Sequence, residues 1–550
     1  MFYHFGSALK RLISPALCLF ALAIVSVAPA IAQDNDVDPK EHFDKAIKLS
    51  DSKEYAKALD ELNIARKATP VTEKVAYLTI LKWIGYVAVQ GGRYNDAIEP
   101  LTTLTTEKKD DFEALLNLAN AYEGLKKDDD AIAAYKRVIV INDKLPDPYF
   151  NIGNLYFHQK QYPQAITNLK KAGALNAKDP AIFQNLGHAL MMQGSYAEAA
   201  DAYGAAAKND SANSKLFLYW GNASLLQMRK GDNASAAKAN CKSAYASALK
   251  LNDKSLDVRL RYGEALMDMK EYAEAIKQFR ASTVIDPSRY EAHYNLAQAL
   301  AAKKKSEQGK GSDPDGSVAN ETLAEFKKSV ELASKAEEIR DSLLGQGLFQ
   351  ADRKQYPEAE KTFARLTAEY PQYTDAWVNL GFIRLKQEPP NHDGAIEAGE
   401  AGLKKVTEKA GQAKIERMLG AIYTAKATAN LKVGDSKKAQ IVFLDKAQQA
   451  FTAALAINPN DAEALHGIGL AASWAGKLDE AIDYLKRATD IRPKYAEAYN
   501  DLSVAYTLKF NTDRTKKEYI NLALKSIKQA AKLDDGYDSA LKTFQKENGL

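Results

Sequence analysis

The chain has 550 residues, too many for one ordinary hydrophobic core, so several domains or an array of repeats are expected. Its 75 Lys and Arg residues nearly balance its 71 Asp and Glu residues, which argues against a surface that binds nucleic acid. A hydrophobic content of 46% argues against disorder, and the scarcity of Pro favours helices.

The first 32 residues have the features of a secretory signal. Lys10 and Arg11 form a short basic segment, residues 12–27 are apolar, and residues 30–32 (Ala-Ile-Ala) form a small-x-small cleavage pattern. We expect cleavage after Ala32 and export to the bacterial periplasm or out of the cell; the alternative is an uncleaved membrane anchor. No later segment approaches the ~20 apolar residues of a membrane span, so none is expected in the mature chain.

Cleavage would also remove Cys18 and leave Cys241 as the one cysteine of the mature chain. No intrachain disulfide can then form, so packing alone must stabilise an exported protein. Cys241 lies in a predicted helix, and we expect a buried packing residue rather than a reactive thiol.

From residue 85 to residue 221, a small residue recurs every 34 positions. In the first four repeats an Ala follows 12 positions later, and a bulky residue follows four positions after that Ala. This pattern predicts pairs of amphipathic helices that bury their apolar faces by stacking. We expect the small residue to contact the Ala of the second helix, and the bulky residue to fill the space between pairs. The small residues are Gly85, Ala119, Gly153, Gly187 and Gly221.

The period, the small residue, the Ala and a proline that closes several units together resemble the tetratricopeptide repeat (TPR). The resemblance spans nearly the whole mature chain, with 13 units counted by their small residues from Ala46 to Ser503. It implies an all-α fold: a right-handed superhelical solenoid of antiparallel helix pairs with a C-terminal capping helix. The closing prolines are Pro70, Pro287, Pro371, Pro459 and Pro493.

The repeat pattern divides the chain into four predicted segments. They are a signal peptide at residues 1–32, an N-terminal array of about six repeats at 37–253, a C-terminal array of about seven repeats at 254–535, and a capping helix at 536–550. The C-terminal array departs from the 34-residue period, which indicates insertions near 303–320 and 426–446. Around Gly381, two prolines and three glycines weaken the second helix and predict a flexible joint.

No motif for catalysis or cofactor binding stands out. Residues 309–312 lack the leading glycine and the preceding strand of a phosphate-binding loop, and the region of Asp313 and Asp315 lacks the closing glutamate of a calcium loop. The histidines are scattered, without a partner at metal-ligand spacing. We therefore predict no enzyme, no catalytic residue, no cofactor and no metal site; only the length of the chain leaves an enzyme open.

In the TPR family the first helix of each pair lines an inner groove, so the resemblance implies which residues lie there. Asparagines recur two positions before the small residue and one position after it. Each amide can both donate and accept a hydrogen bond, so a ladder of amides could pair with an extended peptide of any sequence. The alternative is that these asparagines only pair with neighbouring helices. The predicted peptide-binding groove comprises Asn117, Asn120, Asn151, Asn154, Asn185, Asn222, Phe150, Phe157 and His188.

We predict a non-enzymatic scaffold that binds extended segments of other proteins, in the cell envelope or outside the cell. Family members that clamp a C-terminal carboxylate carry several basic residues on the first helices, whereas Glu113, Asp147 and Ala181 stand at such positions here. The alternative function is a module associated with exopolysaccharide export, in which groove aromatics stack on sugar rings. Those aromatics are Tyr86, Phe150, Phe157, Tyr294 and Phe382.

Overall fold

A computed structural model describes residues 37–307, 316–433 and 437–548. Over these ranges the chain forms 27 α-helices and no strand. Helices α1–α26 follow one another as 13 packed pairs, and α27 comes after the last pair. The predicted all-α fold of successive helix pairs followed by a C-terminal helix is confirmed over these ranges. The predicted signal peptide lies outside the described residues.

The first compact unit ends at Tyr262. Its described part contains six complete helix pairs, in which the odd-numbered helix comes first and carries the small residue of the repeat. The pairs are α1 (Pro39–Asp51) with α2 (Tyr55–Ala68), α3 (Lys74–Gln90) with α4 (Tyr94–Glu107), α5 (Phe112–Gly124) with α6 (Asp128–Ile141), α7 (Pro146–His158) with α8 (Tyr162–Leu175), α9 (Pro180–Gln193) with α10 (Tyr196–Asn209), and α11 (Ser214–Lys230) with α12 (Ala234–Leu251).

The second compact unit begins at Gly263, inside α13 (Leu256–Asp268). Its pairs vary in length, and α21 and α22 reach 25 and 21 residues. The remaining helices are α14 (Tyr272–Ile285), α15 (Tyr290–Ser306), α16 (Ser317–Leu332), α17 (Ala336–Asp352), α18 (Tyr356–Glu369), α19 (Thr374–Lys386), α20 (His392–Lys405), α21 (Lys409–Val433), α22 (Lys437–Ile457), α23 (Ala462–Trp474), α24 (Leu478–Ile491), α25 (Ala496–Thr512), α26 (Lys517–Leu533) and α27 (Asp538–Glu547).

In most pairs whose small residue is glycine, that glycine packs against the bulky residue of its own second helix. A Cβ atom added at Gly187 would lie 2.6 Å from the ring of Tyr203, and one added at Gly153 would lie 2.7 Å from Leu169. The predicted contact with the Ala is also present at Gly153, where the added Cβ atom would lie 3.3 Å from the backbone oxygen of Ala165. The prediction that the bulky residue fills the space between pairs is confirmed at Tyr135, which packs with Ile152 and Leu155 of the next pair. The bulky side chain lies one helical turn beyond the Ala on the same face, and only it is large enough to fill the space beside the glycine.

The pair around Gly381 packs differently. A Cβ atom at Gly381 would lie 2.5 Å from Sδ of Met418, which belongs to α21 rather than to the second helix α20. On α20, Gly399 lies directly against Leu419, also of α21. Gly399 and Gly402, two of the glycines interpreted from the sequence as part of a flexible joint, thus have a packing role, because they admit large side chains of α21.

The turn inside most pairs contains a residue with positive φ, seven positions after the small residue. Gly92 and Gly194 have φ values of 69° and 81°, whereas Lys126 and Lys160 occupy the same position at 58° and 60°. Glycine adopts this left-handed conformation without steric cost, and lysine does not. The sequence analysis did not identify this position.

The last helix covers the apolar end of the second unit. Phe544 of α27 is 9% exposed and packs in a cluster with Ile527 and Ala530 of α26. A repeat array needs such a cover because its terminal repeat has no further neighbour.

Cys241 lies on α12 and is fully buried. Ala237 and Ala244, one turn away on either side, are also fully buried. This position agrees with the packing role predicted from the sequence.

Candidate peptide-binding groove

The predicted groove residues all lie on the first helices of four successive pairs, α5, α7, α9 and α11. Asn117 differs from the others because its side chain is only 6% exposed, so a ligand has little access to it. The remaining predicted residues are half-buried: Asn120, Phe150, Asn151, Asn154, Phe157, Asn185, His188 and Asn222.

A buried tyrosine of α6 holds two of the asparagines. The hydroxyl of Tyr135 lies 2.6 Å from Oδ1 of Asn120 and 2.9 Å from Oε2 of Glu123, so its one proton is shared between two acceptors. The same hydroxyl accepts a hydrogen bond of 3.0 Å from Nδ2 of Asn151 in the next pair. One hydroxyl group therefore fixes amides from two successive repeats.

Burial governs the protonation of this network. It raises the pKa of Glu123, although the hydrogen bond from Tyr135 acts in the opposite direction. Burial also raises the pKa of the Tyr135 hydroxyl, which stays protonated. At His188 burial lowers the pKa, which favours the neutral imidazole.

The same arrangement recurs along the unit. The Tyr203 hydroxyl lies 2.7 Å from Nδ1 of His188, and the Tyr245 hydroxyl donates to Oδ1 of Asn222 at 2.7 Å. Like Asn120, both partners stand one position after the small residue. The role of these tyrosines was not predicted from the sequence. A Tyr at the bulky position, together with a polar residue just after the small residue, was the signal that could have revealed them.

One repeat has a leucine where its neighbours have tyrosine, and its asparagine pairs differently. In the pair with Leu169, Oδ1 of Asn154 accepts a hydrogen bond of 2.8 Å from Nδ2 of Asn185 on the next first helix. Within the described ranges, no hydrogen bond engages Nδ2 of Asn154 or Oδ1 of Asn185. The mutual hydrogen bond thus fixes both amides, and it leaves the NH₂ group of Asn154 and the carbonyl oxygen of Asn185 available for a ligand.

The two predicted groove phenylalanines pack beside the core. Phe150 and Phe157 both contact an apolar cluster formed by residues of α8, α9, α10 and α11. The ring of Phe157 also lies 5.8 Å from the ring of Tyr162, the first residue of α8. Both phenylalanine rings are half-buried and lie on the same helix as Asn151 and Asn154.

The described ranges contain no grouping of His, Cys, Asp and Glu side chains able to hold a metal ion. In these same ranges, no helix combines the length and the apolar character that crossing a bilayer requires.

Family models of the repeat match five parts of the chain. A model described as "TPR repeat" matches residues 153–194 and 263–304. Two models described as "Tetratricopeptide repeat" match residues 84–146, 343–411 and 444–506. The chain is a tetratricopeptide-repeat protein. TPR repeats are modules for binding other proteins, and this TPR protein is a protein–protein interaction scaffold.

Several solved structures are similar to this TPR protein. Yeast Tom70 is 14% identical, with 88% of this chain and 98% of that chain covered and a TM-score of 0.39. The C-terminal part of a TPR protein from Cytophaga hutchinsonii is 17% identical, with coverages of 48% and 99% and a TM-score of 0.38. A TPR protein from Parabacteroides merdae is 16% identical, with coverages of 48% and 98% and a TM-score of 0.31. No curated protein matches the sequence.

Proposed function

We propose that this TPR protein binds an extended segment of a partner protein along α7 and α9 of its first unit, without catalysing a reaction. The observation that carries the proposal is the hydrogen bond between Asn185 and Asn154, which leaves one donor and one acceptor unengaged on successive first helices. Asn117 is left out of the proposed contact set because it is buried.

An extended backbone presents N–H and C=O groups along its length, and these match the unengaged Nδ2 of Asn154 and Oδ1 of Asn185. Because each amide is already held by its neighbour, binding a peptide would cost little additional side-chain entropy. Asn120, Asn151 and Asn222, held in part by buried tyrosines, would extend the row on either side.

We place this scaffold in the cell envelope or outside the cell, on the basis of the signal pattern and the small-x-small motif that ends at Ala32. N-terminal sequencing of the protein from fractionated cells tests this placement. A periplasmic or secreted protein that begins at Gln33 is expected, and a cytoplasmic protein that begins at Met1 would exclude it.

Screening the mature chain against an array of short extended peptides tests the groove. A variant that carries Asn154→Ala and Asn185→Ala should lose at least tenfold in affinity for the peptides that the wild type selects. The matched control carries Asn168→Ala and Asn209→Ala on the second helices α8 and α10, and it should bind normally. Equal binding by the wild type and the groove variant would show that the peptides bind elsewhere.

A further inference from the structure

We infer that the segment bound in the first unit carries Lys or Arg side chains, and that one of these cations lies against Asp147 and Asp179. The inference rests on the proposed function and specifies the chemistry of its ligand. It starts from a contact that the chain makes twice within itself.

We call this contact the cation clasp: a basic residue three positions before a small residue binds two acidic residues at the start of the next first helix. Nζ of Lys82 lies 3.1 Å from Oδ1 of Asp111 and 2.7 Å from Oε2 of Glu113. In the second unit, Nη1 of Arg417 lies 2.9 Å from carboxylate oxygens of both Asp461 and Glu463. In both clasps the acidic residues stand eight and six positions before the next small residue.

The two repeats between Ala119 and Gly187 have acidic residues in this register without the basic one. Asp147 stands six positions before its small residue, and Asp179 stands eight positions before its own. The basic positions that would face them hold Leu116 and Phe150. Helices α5, α7 and α9 contain no Lys or Arg at all.

Both carboxylates are half-buried, and neither forms a salt bridge within the described ranges. Asp179 caps α9 by accepting a hydrogen bond of 2.9 Å from the Ala181 amide through Oδ1. Burial and the charge of Asp179 raise the pKa of Asp147. At Lys82 burial lowers the pKa, but Glu113 and Asp111 outweigh it and raise the pKa overall. A cation beside Asp147 would therefore oppose the burial and the repulsion from Asp179 that disfavour the charged form of this carboxylate.

The carboxylates and the asparagine pair lie on the same two helices. Asp147 precedes Asn154 by two helical turns, about 10 Å along α7. About three residues of an extended chain span that distance. A peptide whose backbone pairs with Asn154 and Asn185 could thus direct a basic side chain to Asp147 and Asp179, each of which belongs to a clasp register that lacks its basic residue.

Three labelled nine-residue peptides test the inference, with capped ends and Ala at alternate positions. The other positions hold Lys in the first peptide, Ser in the second and Glu in the third. Binding to the full mature chain is measured by fluorescence anisotropy at low and at moderate salt. The Lys peptide should bind at least tenfold more tightly than the Ser peptide at low salt, and added salt should reduce this advantage because it screens the charges.

Two groove variants then locate the effect. Asp147→Asn with Asp179→Asn should lower Lys-peptide affinity to that of the Ser peptide; Asn at 179 still caps α9. Leu116→Lys should also weaken binding of the Lys peptide, because it places a cation of the chain itself in the register that faces Asp147. The control carries Asp130→Asn and Asp201→Asn, exposed on α6 and α10, and should bind like the wild type.

The outcomes distinguish a failure of the basic-ligand inference from a failure of the proposed peptide-binding function. Equal affinity of the wild type for the Lys and Ser peptides, or an unchanged Lys-peptide affinity in the Asp147 and Asp179 double variant, would overturn the basic ligand and leave a backbone-binding groove. Failure of all three peptides to bind would overturn the groove as well.

Discussion

At the scale of single residues, the Tyr135 hydroxyl links the hydrophobic core to the groove. Its ring is fully buried on a second helix, while its oxygen contacts Asn120, Asn151 and Glu123 on two first helices. A side chain that no ligand touches therefore fixes the orientation of side chains that a ligand could touch.

Tyr135→Phe removes that oxygen and leaves its three polar neighbours without their shared partner. We expect a loss of about 1–3 kcal/mol in the free energy of unfolding, the usual cost of leaving buried polar groups unpaired. Urea titration followed by circular dichroism measures it. Tyr162→Phe, at a half-buried tyrosine that contacts its surroundings through its ring, is the matched control and should change little.

Glu123 should make stability depend on pH. Burial raises its pKa above the unfolded value, so the folded chain binds more protons than the unfolded chain between these two pKa values. This carboxyl therefore lowers stability as the pH rises through that window. Glu123→Gln should raise the free energy of unfolding at pH 7 and lose this advantage toward pH 4, as measured by urea titration across the range. An unchanged pH profile would contradict the raised pKa.

Lys126 occupies a left-handed turn position where other repeats have glycine. Lys126→Gly should stabilise the chain by about 1 kcal/mol, because it removes the steric cost of that conformation. The neighbouring Lys127, with φ of −93°, gives a matched control, since glycine relieves no strain there. A gain in melting temperature for both variants, or for neither, would argue against strain at Lys126.

At the scale of helix pairs, some glycines leave room for a neighbouring side chain and others do not, and substitution by Ala distinguishes the two kinds. A Cβ atom at Gly187 would lie 2.6 Å from Tyr203, whereas one at Gly204 would meet Trp220 at 3.4 Å, an ordinary contact. Gly187→Ala should cost about 1–3 kcal/mol through overpacking. Gly204→Ala should gain up to about 1 kcal/mol from helix propensity. Thermal unfolding of the two variants measures the sign of each stability change. A loss of stability in both variants would mean that α10 cannot accommodate the methyl group.

Sequence periodicity was sufficient to predict the helix pairs, because the small residue recurs in each first helix whatever surrounds it. It was insufficient to identify the partner of that residue: at Gly381 the neighbour is Met418 of the following pair, and only three-dimensional packing determines this. That these asparagines lie on first helices could likewise be predicted. Their bonding could not, because it depends on whether the second helix supplies a tyrosine, as at 135, or a leucine, as at 169.

At the scale of the whole molecule, the helix pairs within each of the two units pack mainly on their neighbours in sequence. The stability of such an array is close to a sum of local terms, so damage to one repeat should stay near that repeat. A substitution in the regular repeats of the first unit should therefore leave the stability and the binding surface of the second unit unchanged.

The capping helix offers a test of this locality. Phe544→Ala should cost about 3 kcal/mol in the repeats that it covers, since it empties a largely buried site. Hydrogen exchange should then accelerate in α25, α26 and α27 and stay unchanged in α3 to α10. Faster exchange throughout the chain would indicate that the array unfolds as one cooperative body.

Because Cys241 is buried, its thiol is a native reporter of local opening in the wild-type chain. Its sulfur cannot meet an aromatic disulfide reagent until α11 and α12 separate, so the rate of colour development under native conditions would measure how often that pair opens. If the proposed cleavage after Ala32 removes Cys18, no second native thiol would compete. A cysteine introduced by mutation beside the asparagines could then be labelled selectively with a fluorophore, while the buried Cys241 does not react.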